Sequence, residues 1–264
     1  TPIHISSGSP FFCPSLAIAS RIFAAQLRTS PPSRRPRACS LNNAFWYSPT
    51  ALALIDHHLL VIDSGNSRVL GYRATQSDDG SVSVAESASV VLGQKDFFHT
   101  DGSGLDLDQQ ITPEKLAVGP EQQVYVAGLD HAGASVVRVY DNPFEHDSLA
   151  DGQLGSVPTQ VTSMAMLDSD LLLVTGGEGP HSESLFFYDP SAHHAPPYQQ
   201  LTASSPCNGR GGIQGTSQVS GYLLVACTDV VMVATFGSIP GLLERNPGSD
   251  EIRWSVVYEG INIA

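Results

Sequence analysis

Apolar residues in this chain come in short runs of four to six, broken by turn formers. The stretch LLVIDSGNSRVLGYR, Leu59–Arg73, sets the pattern. Two apolar runs, Leu59–Ile62 and Val69–Tyr72, flank a polar DSGNSR in which Gly65 and Asn66 tolerate a positive φ. That is the signature of strand, turn and strand. SPTALALIDHH precedes it as a further short strand ending in a turn, and SVSVAESASVVLGQKDF follows it as an outer strand. The unit therefore reads as four antiparallel strands.

The unit recurs. TPEKLAVGPEQQVYVAGLDHAGASVVRVYDNPFEHDSLADGQLG is a second copy, TSMAMLDSDLLLVTGGEGPHSESLFFYDPSAHH a third and GTSQVSGYLLVACTDVVMVATF a fourth. Aligning their second strands puts Val61, Val126, Val174 and Val225 in register, at spacings of 65, 48 and 51 residues. Gln94 falls opposite Gln153 in this alignment. Several strands per unit and periods near 50 are what propeller blades produce, because one sheet cannot bury both its faces alone.

Residues 1–45 fit the grid more weakly. Ile3–Gly8, IHISSG, echoes VIDSG, and FAAQLRTSPP stands where VLGQKDFFHT stands one unit later. This makes the segment a first blade lacking its innermost strand, which the terminal VVYEGINIA would supply to close the ring. Five units in 264 residues average about 53 each. A second reading makes Ser15–Arg28 an amphipathic helix behind Pro14, with Leu16, Ala19, Phe23 and Leu27 on one face. The fold expected is thus all-β, a single propeller domain over residues 1–264. It has five blades, or four blades over 46–264 behind an N-terminal extension with a short helix.

Composition sharpens this. With 24 glycines and 18 prolines, long helices are disfavoured. Net charge is −13, unevenly spread. Arg21, Arg28, Arg34, Arg35 and Arg37 lie in residues 1–45 without a single acid, leaving 8 basic against 26 acidic residues in the rest. An acidic body repels a phosphate backbone, so no nucleic-acid partner is expected. The basic head would dock on that body or touch another anionic partner. Its Arg- and Ser-rich composition is also that of a transit peptide, although an ordered, uncleaved segment is expected. No apolar run approaches a membrane span of roughly 18–20 residues. Of the four cysteines, Cys13 and Cys39 lie in the head, and Cys207 and Cys227 flank one blade. If the protein is exported, Cys207–Cys227 is the expected disulfide; reduced cysteines are the alternative.

LVIDSGNSRVLGY and VVLGQKDF resemble the repeats of bacterial-type NHL β-propellers, and VYVAG…VVRVY and DGQLG do so in part. The likeness is specific over residues 46–156, faint over 157–264, and rests on spacing over 1–45. It implies a ring of four-stranded blades and a binding or scaffolding role, without fixing a ligand. Within the turn, Asp63 is expected to accept from backbone amides. Asn66 or Gly65 would be left-handed, and Arg68 would bridge to an acid or carbonyl of its own or the next blade. This is a structural turn. Only the first copy keeps Asp-x-x-Asn-x-Arg, which argues against a symmetric ring of arginines reading a polyanion.

Candidate chemistry is sparse. Histidines His57, His58, His99, His131, His146, His181, His193 and His194 all lie in turns or loops, and different blades could bring several to one rim around a metal. NHL-like lyases acting on peptidylglycine intermediates use propeller histidines in this way, but their motifs are not recognisable here. The Asp101–Asp108 stretch, DGSGLDLD, offers hard oxygen ligands for Ca2+ or another divalent ion, though without EF-hand spacing; a solvated loop is expected. Propeller glycosidases need carboxylates on inner strands, and TALALI, EKLAVG, SMAMLD and SQVSG hold almost none. No nucleophile elbow, phosphate loop, dinucleotide fingerprint or HExxH occurs. The expectation is a non-catalytic module with no cofactor, exported or part of a larger assembly, that binds a protein partner or itself. The rivals are a metal-dependent lyase or lactonase-like hydrolase with its site in the central channel, and a structural subunit of an oligomer or filament.

Overall fold

A computed structural model describes residues 48–259 except 79–80, 100–109, 142, 145–148, 168–170, 179–182, 191–198, 202–205, 208–209 and 236–251. The basic head, with its strand-or-helix question, Cys13 and Cys39, lies outside the described residues. So do the Asp101–Asp108 loop and four histidines, His146, His181, His193 and His194.

The described residues are nearly all β, in four antiparallel sheets, with two single turns of 3-10 helix. That arrangement is consistent with a β-propeller. No helix among them is long and apolar enough to cross a membrane. They fall into two compact units, one holding the first sheet and the other built around the remaining three.

The first sheet runs β1 (Pro49–Ile55), β2 (His58–Asp63) and β3 (Arg68–Gln76), each paired with the next. Its outer place is shared by two short strands. β4 (Val82–Val84) pairs with the far end of β3, and β5 (Val90–Leu92) with the near end. Leu59, Val61, Leu70, Tyr72 and Ala88 form a buried cluster on one face of this sheet.

In the other unit, the second sheet continues through β6 (Thr112–Val118), β7 (Val124–Leu129), β8 (Ser135–Tyr140) and β9 (Gly152–Gln153). The third holds β10 (Val161–Leu167), β11 (Leu171–Gly176), β12 (Ser184–Tyr188) and β13 (Gln199–Leu201). The fourth holds β14 (Ile213–Val219), β15 (Tyr222–Cys227), β16 (Val230–Thr235) and β17 (Ser255–Glu259).

These three sheets stack face to face, and β11 shows how. Every residue of β11 is buried. Leu172 and Val174 enter an apolar cluster with Tyr125, Ala127, Val137 and Val139 of the second sheet. Leu171 and Leu173 enter another with Leu223, Val225 and Cys227 of the fourth. Alternation along a strand sends successive side chains to opposite faces, so both faces of the third sheet become core. β15 differs: Leu223, Val225 and Cys227 are buried, whereas Leu224 and Ala226 are half-exposed and Tyr222 is exposed. The fourth sheet is therefore sealed on one face only among the described residues.

Val61, Val126, Val174 and Val225 each lie in the second strand of their sheet, all buried. In the first, third and fourth sheets the first strand slips register by one residue near its start. The breaks fall between Pro49 and Leu52, Val161 and Ser163, and Ile213 and Gly215. At that break the last residue of the second strand, Asp63, Gly176 or Cys227, faces Pro49, Val161 or Ile213.

Two expectations are corrected here. The terminal VVYE, expected as the innermost strand of a first blade that lies outside the described residues, is found in the fourth sheet. It is β17, antiparallel to β16, with Met232 opposite Val256 and Val233 opposite Ser255, and it completes the fourth sheet from outside. The run was apolar enough to be a strand, but pattern alone does not choose the neighbour. Gln94 and Gln153 also part company. Gln153 lies within β9 opposite Arg138, while Gln94 lies beyond the end of β5.

Candidate functional site: the Asp63–Arg68 turn

The turn between β2 and β3 is one loop of 3-10 helix, Ser64–Asn66, closed by a hydrogen bond from the Ser67 amide to the Ser64 carbonyl at 3.0 Å. Ser67 takes the left-handed conformation, φ 52° and ψ 44°. Neither Gly65 nor Asn66 is the left-handed residue, contrary to the sequence expectation. The helical turn spends Ser64–Asn66 on right-handed geometry and leaves the reversal to the residue after it.

Asp63 is 0% exposed and Arg68 is 1% exposed. The Arg68 Nε donates to Asp63 Oδ2 at 2.7 Å, and the Asn66 Nδ2 donates to the same oxygen at 2.8 Å. Asp63 makes no side-chain capping bond to the backbone of the helical turn; its Oδ2 accepts from the Arg68 and Asn66 side chains instead. The second arm of Arg68, Nη1, donates to the Phe97 carbonyl at 2.6 Å. Gln94, 0% exposed, donates from Nε2 to the Ser67 carbonyl at 3.0 Å. DSGNSR and LGQKDF, nearly thirty residues apart, thus converge into one buried polar cluster. Burial is affordable here because the two charges meet and their remaining hydrogen-bonding groups find carbonyl and amide partners. The sequence singled out Asp63, Asn66 and Arg68. It missed Gln94 and the Phe97 carbonyl as their partners, although both lie in the stretch that carried the family resemblance.

Just beyond, Asp96 Oδ1 accepts from the Phe98 amide at 2.8 Å and lies 2.7 Å from His99 Nδ1. The His99 side-chain bond, then the Phe98 amide, hold the Asp96 carboxyl below its ordinary range. Of the other described histidines, His57 is exposed in the β1–β2 turn. His58 stacks on Phe144, ring centres 4.2 Å apart and planes 8° apart. Burial, then the charge of Arg73, hold His58 below the usual imidazole pKa. Among the described residues no three His, Cys, Asp or Glu side chains gather as a metal site would require.

Polar contacts also tie neighbouring sheets together in the larger unit, and sequence reasoning gave no sign of them. The Ser163 hydroxyl of β10 lies 2.9 Å from that of Thr216 on β14, and the Thr216 amide donates to it at 3.0 Å. Glu183 is buried and accepts from the Ile213 amide at 2.6 Å. The Tyr125 hydroxyl lies 2.8 Å from the Pro190 carbonyl, and burial pushes its pKa well up. The side chains of Cys207 and Cys227 are joined by a disulfide, Cα atoms 5.4 Å apart.

No protein-family model matches the chain, and no curated protein does. Among solved structures it is similar to a chain of the Chaetomium thermophilum Polycomb Repressive Complex 2. Identity there is 16%, covering 71% of this chain and 36% of that one, with a TM-score of 0.42. It is also similar to a putative 6-phosphogluconolactonase from Bacteroides uniformis, at 12% identity over 81% of this chain and 54% of that one, TM-score 0.42. The PQQ-bound aldose sugar dehydrogenase of Streptomyces coelicolor is a third, at 11% identity over 84% of each chain, TM-score 0.36. The chain spans about a third of the length of the first and about half of the second. Likenesses this loose say nothing of what the chain binds or does.

Proposed function

We propose that the chain is an NHL-type β-propeller, one domain of five blades, that serves as a non-catalytic interaction or scaffolding module. The observation that supports this most is the burial of Asp63 and Arg68, 0% and 1% exposed and bonded to each other. The most recognisable motif of the repeat spends its charges on fastening its own turn. A group sealed in this way is a poor ligand for substrate or metal. The partner surface would then be the acidic exterior of the body, with a net charge of −13 for the chain, and the partner a protein with a basic face. Export to an oxidising compartment accords with the disulfide.

The test uses the purified full chain. It is assayed against a panel of lactones and aldoses, with and without Ca2+, Zn2+ and PQQ, and is followed in parallel by native mass spectrometry with candidate basic partners and alone. The expected result is no turnover above buffer, together with a stoichiometric complex or self-assembly that weakens as salt rises. Saturable, heat-labile turnover by a chain that remains monomeric would overturn the proposal in favour of the enzyme reading.

A further inference from the structure

The position that closes the second strand is occupied by Asp63, Gly176 and Cys227 in the first, third and fourth sheets. In the fourth sheet it is fastened covalently. Cys227 ends β15, and its partner Cys207 belongs to the linker that leads from the third sheet into β14. Both residues are buried, 0% and 1% exposed, in the apolar cluster between the third and fourth sheets. Three contacts fix the described linker residues and the start of β14 beside the bond. The Arg210 amide donates to the Cys207 carbonyl at 2.8 Å. Gly211 has φ +88° and lies against Thr228, the residue after Cys227, where a Cβ would overlap its side chain. The linker then ends at Ile213, whose amide is held by the buried Glu183 carboxylate. It is thus gripped twice, once by the carboxylate just before β12 and once by a sulfur of the fourth sheet.

We propose that the Cys207–Cys227 bond is a redox latch: bonded, it clamps the linker over the seam between the third and fourth sheets; reduced, it frees the linker and loosens the fourth sheet alone. The reductant is a dithiol. One of its thiolates attacks one sulfur to give a mixed disulfide, and its second thiol displaces the protein thiol. The dithiol leaves as its own disulfide, having delivered two electrons and two protons, and Cys207 and Cys227 end as thiols. Because both cysteines are buried, attack waits on a local opening of the linker. An oxidising compartment keeps the latch closed. The fourth sheet can loosen at its open face, where Leu224 and Ala226 are partly exposed and Tyr222 is exposed. This inference does not depend on the scaffolding reading.

The experiment uses the full chain and dithiothreitol under native conditions. Disulfide state is followed by peptide mapping of maleimide-labelled thiols, and local opening by hydrogen exchange. The expected result has three parts. Cys207 and Cys227 are unlabelled in the denatured, unreduced chain. Reduction of the native chain is at least tenfold slower than in denaturant. It is followed by faster exchange confined to residues 206–235 and 255–259, with the first three sheets unchanged. A C207S/C227S variant shows the same faster exchange without reductant and no further response to it. Labelled thiols in the unreduced chain, reduction with no change in exchange, or loss of protection throughout the chain would each overturn the proposal. Wild-type protein with dithiothreitol decides the matter even where the variant does not fold.

Discussion

Asp63→Ala would leave the Arg68 guanidinium charged and 1% exposed, with its carboxylate gone. Arginine does not shed its proton to escape burial. The expected loss is therefore that of a broken buried pair, about 3–5 kcal/mol, read in chemical denaturation as a lower midpoint with unchanged slope. Replacing both partners, as Asp63→Leu with Arg68→Met, should recover much of that loss, since an apolar pair leaves no orphaned charge. A double variant no more stable than Asp63→Ala would show that the cluster's other bonds, not the pair, hold the turn. His58 supplies a pH dependence. Its folded pKa lies below its unfolded value near 6.5, chiefly through burial. The folded protein then binds fewer protons, so this contribution is full above the unfolded pKa and is lost as pH falls toward the folded one. Thermal melts from pH 7.5 to 5 should show a falling midpoint, and His58→Phe, which keeps a ring against Phe144, should flatten part of the slope. At this scale the sequence disclosed which residues form the turn, because Asp, Asn and Arg have few other reasons to cluster between two apolar runs. It did not disclose that Ser67 would carry the left-handed backbone, since the 3-10 turn that displaces the reversal leaves no residue-type mark.

Gly176 ends β11 where the chain passes close beneath it. A Cβ there would overlap the carbonyl oxygen of Gln160, a backbone atom that cannot swing aside. Gly176→Ala should cost at least the roughly 1–3 kcal/mol of ordinary overpacking, measurable as a shifted denaturant midpoint. Wild-type stability in that variant would mean that the linker before β10 yields freely. The second strands were readable from the sequence because they are continuous apolar runs, and Val61, Val126, Val174 and Val225 lie in them. The outer strand of the first unit was legible within SVSVAESASVVLGQKDF, but its division into two short strands and the brevity of β9 were not. β5 is three residues long and shares its edge with β4, while β9 is two residues long. Strands so short carry no period to read. β17 was visible as a strand, yet its neighbour β16 was fixed by a ladder that no local pattern encodes.

The stacking of sheets in the larger unit sets how far damage spreads. Leu173 is fully buried between two sheets, and Leu223 faces the same cluster from the other side. Leu173→Ala and Leu223→Ala should each cost about 2–5 kcal/mol. Leu224, one residue along β15 but on the half-open face, should cost markedly less. Equal losses at Leu223 and Leu224 would mean that the open face is covered. The charge asymmetry of the chain was plain in its composition, but the unequal sealing of the fourth sheet was not, because Leu224 and Ala226 are as apolar as residues of any core strand. The register slip shared by three first strands bears on descent. A further residue lost or gained inside that hairpin, with no bulge to absorb it, would turn the apolar side of its first strand outward and destabilise the copy. Insertions could accumulate only in the connections, which is where spacings of 65, 48 and 51 residues put them. A slip at the same place in three hairpins is what repeated copying of one hairpin would leave behind while the sequence around it drifted.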